Sequence, residues 1–151
     1  MRILSYRFNS EAELRRKLQR KQFGKEEIEA VVQKLRDEKW LDDERFAGVF
    51  VRTRSAKKIG KLRIVRELQA AGVDREEAAL AIDRNIDPEV EREQLAALCA
   101  KRLRVLIRRH GEEYAASADG RNKLAAWLLK HGYDAALVQS VMKETRVAHH
   151  Q

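Results

Sequence analysis

Apolar residues recur along this chain three and four positions apart, the rhythm of helices that bury one face. Leu14 and Leu18 mark a short first stripe, and Ile28, Val31, Val32 and Leu35 mark a helix over about 25–39. Phe46, Ala47 and Phe50 define the buried face of a helix that Asp42 or Asp43 can cap. Ile64, Val65 and Leu68 follow after Gly60, and then Ala78, Ala81 and Ile82. Leu95, Cys99, Leu103 and Leu106 share one side of a long helix opening at Asp87-Pro88 and running to His110. Proline suits its first helical position, where a missing N–H costs little. Leu124, Trp127 and Leu128, then Val138, Val141 and Met142, complete the series. Residues 1–8, with Ile3, Leu4, Tyr6 and Phe8, read as the tail of a helix, and 147–151 as a frayed end.

The punctuation agrees with these elements. Ser10 precedes Glu13, and Asp74 precedes Glu77, at capping-box spacing, where each side chain can satisfy a free backbone N–H. Phe23-Gly24 ends one helix, and Gly72 suits a left-handed residue closing another. Residues 111–120 read as a loop, with Asp119 as the cap of the helix after it.

Three of the segments superimpose without a gap. Leu14, Leu18, Phe23, Ile28, Val31 and Val32 match Ile64, Leu68, Val73, Ala78, Ala81 and Ile82, which match Leu124, Leu128, Tyr133, Val138, Val141 and Met142. A longer helix precedes each pair. The pattern predicts an all-α chain of three tandem three-helix repeats, an elongated, curved, right-to-left array of short helices. The copies span 1–40 (its first helix short), 41–86 and 87–148, with a tail at 149–151.

Composition adds a partner class. Charged residues make up 37% of the chain, aromatics only 6%, and 32 Lys+Arg against 24 Asp+Glu leave +8. Such an excess suits a polyanion, nucleic acid before an anionic membrane surface. No apolar run approaches the roughly 18–20 residues of a membrane span, and residues 1–8 are too short and polar for a signal peptide. The single Cys99 cannot form an intramolecular disulfide and fits a reducing compartment. A cytoplasmic protein is expected.

The cations are not scattered. Residues 52–66 hold seven basic side chains and no acid. Arg54, Lys57, Lys58, Lys61, Arg63 and Arg66 surround the break at Gly60, and Lys101, Arg104 and Arg108 form a second stripe at helical spacing. These nine are the candidate contacts to DNA or a protein partner, against the plainer reading of solvated helix faces. Asp42-Asp43-Glu44 invites a metal or acid/base reading, but capping and the helix dipole explain it more cheaply. His110, His131, His149 and His150 have no zinc spacing with Cys99. With no Walker loop, GxSxG or Cys–His signature, no catalytic residue, cofactor or metal is expected. Trp40 and Trp127 follow apolar rhythms, which favours packing over base stacking.

Ser10-Glu11-Ala12-Glu13-Leu14-Arg15-Arg16-Lys17-Leu18, Leu41-Asp42-Asp43-Glu44-Arg45-Phe46, and then Arg54, Lys57, Gly60, Arg63-Ile64, Glu67-Leu68 and Gly72-Val73 together resemble the RecX family of RecA regulators. Arg109-His110-Gly111 and residues 128–133 resemble its third repeat more loosely. Lys58 stands where the family pattern usually has glycine, and Ile59 where it often has an aromatic. The resemblance implies a non-enzymatic modulator of a family whose members bind RecA, often within the groove of its filament on DNA. Single- and double-stranded DNA are expected as further partners, and a monomer as the state of the chain. Such a modulator would limit filament growth, ATP hydrolysis and strand exchange. A stand-alone DNA-binding or architectural protein, or a helical adaptor for another acidic protein, would carry the same charge.

Overall fold

The structure, a computed structural model, describes residues 10–39 and 41–149. Among them the chain forms nine α-helices and no strand: α1 (Glu11–Arg20), α2 (Lys25–Asp37), α3 (Asp43–Ala56), α4 (Lys61–Ala70), α5 (Arg75–Asn85), α6 (Pro88–His110), α7 (Glu112–Ala116), α8 (Ala118–Lys130) and α9 (Ala135–His149). The all-helical repeat expected from the apolar rhythm is what the chain builds. The helical tail expected over 1–8, and Trp40, lie outside the described residues. α9 runs to His149, so residues 147–149 are helical rather than frayed.

Short polar side chains start the helices by accepting otherwise unpaired N–H groups. Ser10 Oγ accepts from the Glu13 amide at 3.1 Å, Asp42 Oδ1 from Arg45 at 3.1 Å, and Asp74 Oδ1 from Glu77 at 3.0 Å. Asp87 Oδ1 accepts from Glu89 at 2.9 Å, with Pro88 at the first helical position. Of the two candidate caps at the start of α3, Asp42 takes the role, while Asp43 Oδ1 accepts from the Glu11 amide at 2.9 Å and so caps α1 from outside.

Residues 111–120 correct the expected loop. They fold as α7 and the opening turn of α8, and the cap is Ser117, whose Oγ accepts from the Gly120 amide at 3.1 Å. Asp119 lies inside that first turn. Glycine misled the reading because Gly120 serves close packing rather than a turn. A Cβ there would stand 2.1 Å from the Tyr114 carbonyl oxygen.

The chain divides into two compact units. One takes the chain up to Thr53 with Val65–Asn85; the other takes Arg54–Ile64 with everything from Ile86. In the first, Leu14, Leu18, Ile28, Val32, Leu35 and Leu41 form one apolar cluster. In the second, α6, α8 and α9 close over Leu95, Cys99, Leu106, Leu124, Leu128, Tyr133, Val138, Val141 and Met142. Every matched repeat position in the second and third copies is buried. The first copy departs twice: Val31 is half-buried, and Phe23 is 44% exposed where Val73 and Tyr133 are 2% exposed.

In each unit a helix start meets an elbow between two helices, and the two junctions occur at equivalent repeat positions. In the first unit Ser10 Oγ donates to the Ala71 carbonyl, and Gly72, at φ +95°, lies on Ala12. In the second, the Gly60 amide donates to the His131 carbonyl at 2.7 Å and the Leu62 amide to Gly132 at 3.0 Å. A Cβ on Gly60 would stand 2.3 Å from the Gly132 carbonyl carbon, and one on Gly132, at φ +97°, 2.3 Å from the Arg63 Cβ. An elbow between two helices thus seats on the start of an earlier helix in both units. Gly72→Ala combines a left-handed backbone with a Cβ 2.1 Å from that of Ala12. It is expected to lower stability by about 3 kcal/mol, summing a backbone and an overpacking cost. Chemical denaturation followed by circular dichroism measures this.

Candidate partner-binding surface

The basic bend is shaped from beneath. α3 ends as Lys57 and Lys58 donate to the Arg54 and Ser55 carbonyls at 3.0 Å, and Ile59 reaches back to Arg54 at 3.2 Å. Gly60 then enters the buried junction with His131 and Gly132, which sets where α4 begins. Lys57 is left exposed, while Arg54, Lys58, Lys61 and Arg63 are half-buried. The first carbons of Arg63 lie over the Gly132 elbow, so this side chain also packs.

Lys61 faces acids. It shares a groove with Glu89, Glu91, Arg92 and Asp134, beside Pro88 and Leu137. Burial pushes the Glu91 carboxyl pKa up, Lys61 draws it down, and Asp134 raises it again. The Lys61 charge is therefore answered locally. Tyr133, behind this groove, has its phenol pushed up to about 12 by burial and by Glu91, so it stays a neutral core group.

On α6, Lys101, Arg104 and Arg108 are all exposed, and their spacing of three and four keeps them on one face. These three share a unit with Arg54, Lys57, Lys58, Lys61 and Arg63. Arg66 is exposed on α4 and belongs to the first unit. Arg102 was not among the sequence candidates. Its guanidinium lies 4.9 Å from the Trp127 ring centre, and the His131 ring sits 4.1 Å from the same indole. Trp127 is thus packed and covered, as its apolar rhythm suggested. Arg102 stands about 100° around the helix from Lys101, the available signal that it leaves the stripe.

The acidic trio is occupied by structural work. Asp42 caps α3, Asp43 caps α1, and Glu44 accepts from Arg84 at 2.7 Å. Among the described residues no three His, Cys, Asp or Glu side chains gather as a metal site. Cys99 is fully buried, and burial raises its thiol pKa, so it is a thiol rather than a nucleophilic thiolate at neutral pH. The surface offers cations for a polyanion.

Comparison with known proteins is consistent with this geometry. Residues 42–82 match the family model described as RecX, second three-helix domain, and residues 1–35 match RecX, first three-helix domain. Over 95% of its length the chain is 32% identical to the regulatory protein RecX of Neisseria meningitidis serogroup A, covering 86% of that protein. The chain belongs to the RecX family. It is likewise 32% identical to regulatory protein RecX of Serratia proteamaculans, spanning 94% of it. Against regulatory protein RecX of Oceanobacillus iheyensis, at 29% identity, it spans 50% of the relative's length. In fold it is similar to the crystal structure of RecX from Lactobacillus salivarius, with a TM-score of 0.82 and 23% identity, covering 97% of this chain and 91% of that one. No helix among the described residues is long and apolar enough to cross a membrane.

Lys58 occupies φ +63°, the left-handed region that favours glycine, so the bend holds a strained lysine. Lys58→Gly is expected to raise stability by about 1 kcal/mol by removing that strain. Lys58→Ala removes the same charge but keeps a Cβ, so it should leave stability nearly unchanged; thermal unfolding of the pair separates backbone from charge.

Acids crowd the starts of α3 and α5. The Glu77 pKa is raised by burial first, then by Asp43, Asp74, Glu44 and Asp42. Such a carboxyl holds its proton more tightly in the folded chain than in the unfolded one. Its favourable contribution is present below the ordinary value of 4.5 and is lost as pH rises through the higher folded value. Glu77→Gln should therefore stabilise the chain near pH 7 by up to about 1 kcal/mol. Melting curves across pH should show that gain shrinking as acid protonates the native carboxyl.

Proposed function

We propose that this chain is a non-enzymatic regulator of the RecA recombinase. In this reading it engages RecA or its DNA filament in the cytoplasm, as a monomer, and limits filament growth, ATP hydrolysis and strand exchange. Its three copies, 1–40, 41–86 and 87–148, are the modules of that contact. Membership in a family whose relatives are named regulatory protein RecX supports the regulatory role. The observation that carries the contact is the exposed cationic set of Lys57, Lys101, Arg104 and Arg108 on a unit whose bend is held by backbone packing. Arg54, Lys58, Lys61, Arg63 and Arg66 are the further candidates, with Lys61 and Arg63 also committed to internal packing.

Electrostatic binding to duplex DNA weakens with salt at a log–log slope of roughly −0.9 per phosphate neutralised, so each exposed cation removed should flatten the slope by about one. The decisive measurement is DNA-dependent ATP hydrolysis by preformed RecA filaments, titrated with the wild-type chain and with a Lys57→Ala, Lys101→Ala, Arg104→Ala, Arg108→Ala variant. Inhibition at substoichiometric protein, weakened roughly tenfold or more in the variant, is expected, with circular dichroism confirming that it is folded. Inhibition only when protein saturates the DNA would instead identify a stand-alone DNA-binding protein. Absence of any effect on RecA would remove the regulator reading.

A further inference from the structure

The groove at the start of α4 sets one candidate cation, Lys61, among Glu89, Glu91 and Asp134, with Arg92 on the same wall. Most of these groups have work elsewhere. Asp134 Oδ1 accepts from the Ala136 amide at 2.7 Å at the opening of α9. Arg92 donates to Ser140 Oγ at 2.7 Å and pairs with Glu144. Glu89 is exposed to solvent. Glu91 differs from them, because it is 8% exposed and its charge interacts in two directions. Across the groove it meets Lys61, with Asp134 beside it, and behind the groove it meets the Tyr133 phenol. Tyr133 is 2% exposed, and its hydroxyl is buried with no hydrogen-bond partner among the described residues. Buried hydroxyls are ordinarily satisfied. One carboxylate thus stands between an ammonium that can leave and a buried donor that lacks an acceptor.

We propose that Glu91 is a two-position latch on the partner-binding surface. In the free chain it holds Lys61 in the groove; when Lys61 turns out to a DNA phosphate, Glu91 accepts from the Tyr133 phenol instead. Lysine suits the moving part, being a compact charge on a flexible stem. The phenol suits the fixed part, since a buried carboxylate that loses its cation needs another donor. Each arrangement leaves Glu91 with one partner, which makes the pair a two-state element that a polyanion can bias. The latch lowers the affinity of the bend for DNA without removing Lys61 from the contact. This inference rests on the reading of the bend as a DNA contact and adds an internal competitor to it.

The test measures binding to a short DNA duplex by fluorescence anisotropy over a range of salt. Mildly alkaline buffer keeps the Glu91 carboxyl ionised, and circular dichroism checks each variant for fold. Glu91→Gln should bind several-fold more tightly than wild type, and Tyr133→Phe several-fold more weakly. Lys61→Ala should flatten the log–log salt slope by roughly 0.9, the share of one phosphate. With Lys61→Ala in place, neither Glu91→Gln nor Tyr133→Phe should change the affinity further. A Glu91→Gln gain that survives Lys61→Ala would be a general effect of charge and would overturn the latch. A salt slope untouched by Lys61→Ala, or affinity indifferent to Tyr133→Phe, would overturn it as well. Binding that depends on Lys57, Lys101, Arg104 and Arg108 but ignores Glu91→Gln removes the latch and leaves the DNA contact standing. Failure of every chain to bind DNA removes both.

Discussion

A backbone amide meeting a backbone carbonyl without a side chain between them is the constraint on which this architecture rests. At Gly60 the amide reaches the His131 carbonyl at 2.7 Å, closer than any Cβ on either glycine of the contact would allow. Such contacts are stiff, because neither partner can yield by changing a rotamer. Through this one, the end of α3 and the start of α4 are held against the α8–α9 elbow. The cationic bend is consequently a shaped surface rather than a loose loop. Most of the candidate binding residues inherit their positions from a glycine that carries no chemistry of its own.

Charge in the chain is sorted by helix polarity. Acids gather at the openings of α3 and α5, where the dipole and free N–H groups favour them, and Arg108, Arg109 and His110 close α6. Part of the 32 Lys+Arg is thus spoken for by structure, while the net +8 is untouched because each pair uses one charge of either sign. Lys61 answers Glu91, Arg84 answers Glu44, and Arg92 pairs with Glu144. The exposed remainder on the bend and on α6 is smaller than the sequence count, and it is the part that an external polyanion meets first.

Helix positions, most caps and the repeat register were legible in the sequence because they follow from local spacing and from side chains acting within one turn. Asp87-Pro88 and Gly72 needed nothing beyond their neighbours. What was not legible depends on distant partners. Gly120 looked like a loop marker because its packing partner, the Tyr114 carbonyl, leaves no trace in composition. Phe23 matched Val73 and Tyr133 in register yet is exposed, since periodicity cannot tell which copy finds a partner. The nine candidate cations read alike in one dimension. Only the fold separates Lys61, turned to acids, from exposed Lys57, and draws Arg102 away over Trp127.

The junction at Ser10 also carries a temporal consequence. Its hydroxyl donates to a carbonyl 61 residues later in the chain, while α1 and α2 pack through neighbours in sequence. Local pairs close cheaply and early, whereas a contact of that separation bears a larger loop-closure entropy. During synthesis from the amino end, the first helix pair can therefore collapse as soon as it emerges, but Ser10 stays solvated until Ala71 has been made. The apolar seam of the first copy is formed on its own account; the bond that ties it to the second has to wait for the ribosome.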